Sequence, residues 1–108
     1  MNRWNIPKLL EAEVFERDTG CVYCGVDFSQ PASARGSKPS WEHIVNDAKI
    51  ITPENIARCC LSCNASKGSK DLAVWLQSNY CKAKGISEHT VSKVVQNTLL
   101  KPDAYLSA

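Results

Sequence analysis

Two cysteine pairs of the same spacing, Cys21-Val22-Tyr23-Cys24 and Cys60-Leu61-Ser62-Cys63, stand in this chain with 35 residues between them. A CxxC turn brings two sulfurs to one ion, and two such turns complete the tetrahedron that zinc takes in structural sites. Four thiolates leave no open coordination position, so an ion held there staples the fold and is not a catalyst. Gly25 follows the first pair and suits a tight metal knuckle. Cys60 is preferred to Cys59 as a ligand because it alone has CxxC spacing to Cys63, and Cys59 and Cys81 read as small buried hydrophobes. Between the pairs, Trp41-Glu42-His43-Ile44-Val45 sets a carboxylate beside an imidazole on strand-like sequence, and Asn64 follows Cys63 directly. Strand alternation puts Trp41, His43 and Val45 on one face and Glu42 and Ile44 on the other, so acid and base diverge.

The elements that must position these groups follow from pattern. Ile6 to Gly20 reads as a helix with Pro7 in its first turn, Leu10 and Val14 on its apolar stripe with Phe15 beside them, and Gly20 as its stop. Ser29 to Ser40 reads as an exposed, mobile loop bearing Arg35 and Lys38. The segment around Pro53 is connection, and Asn55 to Cys60 supplies a second strand. A helix is expected from about Ser62. It breaks near Gly68 and resumes with Leu72, Trp75, Leu76 and Tyr80 at helical spacing until Gly85. Ser87 is placed to cap a last helix with Val91, Val94, Val95 and Leu99 as its apolar face.

Bulk properties bound the function. At 108 residues the chain is the size of one domain, and 44% hydrophobic with 22% charged content is that of an ordinary folded protein. The formal net charge of +2 is compatible with an anionic partner such as nucleic acid. No apolar run is long enough for a bilayer, and the opening residues lack the continuous apolar stretch of a signal peptide. A cytoplasmic location and reduced thiols are therefore expected, which makes spacing rather than disulfide arithmetic the guide to the cysteines.

Taken in order, CVYCG, WEHIV, Asn55 and CLSCNASKG resemble the HNH endonucleases of the zinc-stapled type, over about Phe15 to Lys70. The resemblance implies an α+β fold: a small ββα-metal core, also called a His-Me finger, with a structural four-cysteine zinc site, an N-terminal helix and a C-terminal helical extension over about 71–101. It implies that His43 is the general base, that Glu42 and Asn64 hold a divalent ion, and that Asn55 pins the loop that aims the imidazole. The usual acid of the first motif is aspartate; here it is Glu42, which keeps the carboxylate. Lys67, in the CNxxKG tail, is expected near a phosphate, with Lys70, Arg35 and Lys38 as further contacts and Lys82 and Lys84 as candidates.

These residue types suit phosphodiester hydrolysis. The bond is anionic and its leaving alkoxide is poor, so a metal ion can offset the developing charge while neutral histidine takes a proton from water. Oxygen ligands from Glu42 and Asn64 suit Mg2+ or Mn2+, which keep waters and borrow phosphate oxygens. His89 has no metal-binding neighbour in sequence, and Trp4, Trp41 and Trp75 read as packing rather than as platforms for bases. The expectation is one domain over residues 1–108, a metal-dependent endonuclease with DNA as its partner and 5′-phosphate and 3′-hydroxyl products. Oligomeric state is open, with a homodimer one way to cut two strands. The alternative is a catalytically inactive, zinc-stabilised nucleic-acid-binding module.

Overall fold

At the centre of the computed structural model, which describes residues 5–100, lies an antiparallel hairpin of β1 (Pro39–His43) and β2 (Ile56–Cys60). Ser40 faces Cys59, Trp41 faces Arg58, Glu42 faces Ala57 and His43 faces Ile56 across the ladder. Opposed residues share a face, so Ser40, Glu42, Ala57 and Cys59 look one way and Trp41, His43, Ile56 and Arg58 the other. Both faces are covered, which is why every residue of β2 is buried.

Helix α1 (Lys8–Arg17) covers the Trp41 face, where Ile6 and Val14 pack on Ile56 with Leu10 and Trp41 at the edge. The helix ends at Asp18, two residues before Gly20. Asp18 is held there by tertiary bonds: its carboxylate accepts from Arg17 and from the backbone N–H of Arg58. The Arg58 guanidinium lies 4.0 Å from the centre of the Phe15 ring and 4.9 Å from that of Phe28, which gives half-exposed Phe15 a partner.

The Glu42 face receives everything else. The first cysteine knuckle, helix α2 (Leu61–Lys67) and the C-terminal helices form a cluster around Tyr23, Trp75, Cys59, Cys81 and Val95. The two unpaired cysteines are buried in it, as expected of small apolar side chains. The exposed loop before β1 contains a 3-10 turn, Arg35–Ser37, packed on α2 so closely that a Cβ on Gly36 would sit 3.3 Å from that of Ser62.

The break at Gly68 comes with a positive φ of 51°. Beyond it, the single helical run expected to Gly85 is two short helices, α3 (Leu72–Trp75) and α4 (Asn79–Lys84). Ser78 divides them, because its side chain accepts from the Cys81 N–H and starts α4 afresh. Ser87 caps a turn rather than a helix: its N–H donates to Thr90 and its hydroxyl accepts from His89 N–H. The last helix, α5, begins later, at Lys93, and runs to Leu100 with Val95 buried and Val94 and Leu99 against the core. Trp4 and Lys101 lie outside the described residues. Among those described, no helix is long and apolar enough to cross a membrane.

Candidate functional site

The sulfurs of Cys21, Cys24, Cys60 and Cys63 all lie within 4.8 Å of one another. The Cys24 and Cys60 sulfurs are 3.7 Å apart, close to the edge of about 3.8 Å that a tetrahedron with ~2.3 Å zinc–sulfur bonds requires. All six cysteines are free thiols. The local backbone is shaped for thiolates: Cys21 Sγ accepts from the N–H groups of Tyr23 and Cys24, and Cys60 Sγ accepts from Cys63 N–H as the N-cap of α2. Gly25, at φ 80°, closes the first knuckle with its N–H on Cys21 O. Tyr80 of α4 donates its hydroxyl to Cys63 Sγ.

Electrostatics favour a cation among these sulfurs. A hydrogen bond from the Cys63 thiol pulls Cys21 down to about 5, and the same bond drives Cys63 far upward. Burial, with its neighbouring sulfurs, pushes Cys24 up to about 11. Four thiols in one buried cluster cannot all ionise without a positive ion to gather the charge. The donor set and spacing fit a structural Zn2+, which the four cysteines could hold as a closed shell.

Beyond this cluster, Glu42 enters the same cluster face as Tyr23. Its Oε2 accepts from the Tyr23 hydroxyl at 2.5 Å and lies 3.1 Å from Lys67 Nζ. All three side chains are buried. Burial raises the Glu42 pKa, while Lys67 and the Tyr23 hydrogen bond act against that rise. Burial and the adjacent carboxylate hold the Tyr23 phenol well above its ordinary range, so it acts as a donor. Asn64 Nδ2 donates to Ser40 Oγ and to the Trp41 carbonyl, and no hydrogen bond from the described residues reaches its Oδ1. The first turn of α2 is thereby tied to the peptide that carries Glu42.

His43 ends β1 on the opposite face of the strand and is buried. Desolvation lowers its pKa and Lys67 adds to that, against a smaller upward pull from Asp47. Immediately after it, Asn55 fixes the connecting loop. Its Oδ1 accepts from Val45 N–H, and its Nδ2 donates to the carbonyls of Val45 and Ile50. An open groove of about 480 Å³ runs beside this loop, lined by Ile44, Val45, Asn46, Lys70, Asp71 and Leu99 among others.

The basic residues divide. Arg35, Lys38, Lys70, Lys82 and Lys84 are exposed, with Lys70 Nζ donating to the Ser66 carbonyl. Lys67, expected near a phosphate, instead turns inward at 1% exposure and pairs with Glu42. The reason is helical spacing: Lys67 stands four residues after Cys63 and shares its buried face. That signal was present in the sequence. The part played by Tyr23 was not, because residues inside a CxxC turn carry no indication of what they face. His89 is exposed beside Glu88. Comparisons of the chain with protein-family models, with curated proteins and with solved structures gave no match.

Proposed function

We propose that the chain is a divalent-metal-dependent endonuclease of the HNH kind, hydrolysing phosphodiester bonds in DNA. The observation that carries this reading is the bond from Asn64 to the Trp41 carbonyl, which joins the helix start fixed by Cys60 and Cys63 to the strand bearing Glu42 and His43. A hairpin leading into a helix, with cysteines at the junction, supports the same reading. Tyr23 and Lys67 both engage Oε2 of Glu42, so Oε1 and the Asn64 Oδ1 are the oxygens suited to a hard ion such as Mg2+ or Mn2+. When bound, the ion supplies charge neutralisation on the phosphate and its leaving oxygen.

The protein's own groups do the rest. His43, its pKa lowered by burial, is neutral at cellular pH and takes a proton from the attacking water. Asn55 holds the loop after β1, and so the direction of the imidazole, by three hydrogen bonds. The exposed Lys70 and the groove beside it offer a path for the anionic strand. Products are 5′-phosphate and 3′-hydroxyl ends. One observation favours a second reading, an inactive zinc-stabilised nucleic-acid-binding module: Lys67 already neutralises the Glu42 carboxylate.

Nicking of supercoiled plasmid decides between them. The parent protein is expected to nick with Mg2+ or Mn2+, and His43→Ala to lose that activity while keeping its zinc and its thermal transition. A folded, zinc-loaded parent without activity, or one whose activity survives His43→Ala, overturns the nuclease reading.

A further inference from the structure

We infer that Lys67 is a built-in counter-ion of Glu42 and that it makes the catalytic ion's site substrate-dependent, so that the divalent ion is held firmly only together with an anionic phosphodiester strand. The inference rests on the nuclease reading above and adds an order of binding to it.

Lys67 Nζ lies 3.1 Å from Glu42 Oε2, with the two side chains 1% and 7% exposed. Among the described residues the ammonium has this one ion pair and no hydrogen bond. It cannot swing to solvent without turning α2, because Lys67 shares the buried face of that helix with Cys63, whose sulfur belongs to the four-cysteine cluster. Of the two groups assigned to the ion, Glu42 is the charged one and Asn64 is neutral. The carboxylate and the ammonium therefore sum to zero before any ion arrives. The other group on Oε2, the Tyr23 hydroxyl, is a neutral donor.

A divalent ion added to that arrangement would leave two uncompensated positive charges where little water can screen them, and Lys67 would repel it. A phosphodiester brings negative charge to the same place and oxygens that such ions readily borrow. Negative charge on the four-cysteine centre is the same with and without nucleic acid, so it does not alter the comparison. By linkage, whatever factor DNA contributes to ion affinity the ion must contribute to DNA affinity.

The test is Mn2+ binding, read by the electron spin resonance of free Mn2+. It uses the full zinc-loaded chain carrying His43→Ala to prevent cleavage, with and without a DNA duplex. DNA is expected to tighten Mn2+ binding by about tenfold or more. Adding Lys67→Met should shrink that difference to less than about threefold, because the DNA-free protein gains affinity. Equal Mn2+ affinity with and without DNA overturns the inference without any Lys67 variant, should that variant fail to fold. A folded Lys67→Met protein that keeps the full difference overturns it as well. If the parent nicks plasmid yet Mn2+ binding ignores DNA, the nuclease reading stands and the role of Lys67 falls. If there is neither nicking nor Mn2+ binding, both fall.

Discussion

Asn55 is fully buried, and both ends of its amide are committed to backbone groups of the loop between the strands. Alanine there would leave a buried N–H and two carbonyls without their partner, at about 1–3 kcal/mol for each that water cannot reach. Asn55→Ala should therefore lower unfolding free energy by roughly 3 kcal/mol or more, read by urea denaturation, while one zinc per chain is retained. A change within a few tenths would mean that the loop holds itself. The value of Asn55 was legible from its place between WEHIV and CLSCN. The Glu42–Tyr23–Lys67 convergence was not read, since it joins residues 19 and 25 positions on either side of the acid. Strand alternation did forecast that Glu42 and His43 diverge, because a pleat of period two leaves adjacent side chains no other choice.

At the scale of elements, the knuckle and α4 make separable predictions. Gly25 has φ 80° and open space where a Cβ would go, so Gly25→Ala should cost only the backbone term, about 1–2 kcal/mol, read as a lowered melting transition. Gly20→Ala should cost more, since its Cβ would meet the Val26 carbonyl oxygen at 2.9 Å. Equal costs at the two positions would contradict this account of the turn. Tyr80→Phe removes the hydroxyl donor to Cys63 and should weaken zinc retention by about 10–100-fold, measured by chelator competition. Unchanged retention would make Tyr80 a packing residue only.

Element boundaries show where local reading stops. Apolar spacing found Leu72, Trp75, Leu76 and Tyr80 correctly as inward-facing or core-packed residues but not the division at Ser78, which depends on a side-chain cap. The same ambiguity put the last helix at Ser87, whose side chain closes a turn, instead of at Lys93. Helix α1 stops early because Asp18 is bound to groups on β2, a contact outside the reach of local sequence.

On the scale of the whole molecule, the terminal helices lie against the hairpin. The radius of gyration is 12.9 Å, close to the ~13 Å of a compact chain of about 100 residues. Trp75 stacks on Tyr80 and meets Tyr23 edge-on, and its indole N–H donates to Ser66 of α2. The C-terminal helices thus brace the cysteine cluster and the Glu42 pocket together, with Cys60 and Cys63 at the junction of strand and helix that serves both. Losing the ion should loosen the pocket and the core at once: Cys63→Ser is expected to abolish cooperative unfolding, whereas His43→Ala keeps it. Similar loss of structure in both would refute that division of labour.

The central claim is that four thiolates hold one ion and that this ion orders the chain around Glu42, His43 and Asn64. Element analysis of the purified protein, with its unfolding followed during chelation, tests it most directly. One zinc per chain, lost together with the cooperative transition, is the predicted result. Protein that is folded without metal, or whose cysteines are joined as disulfides, would contradict it.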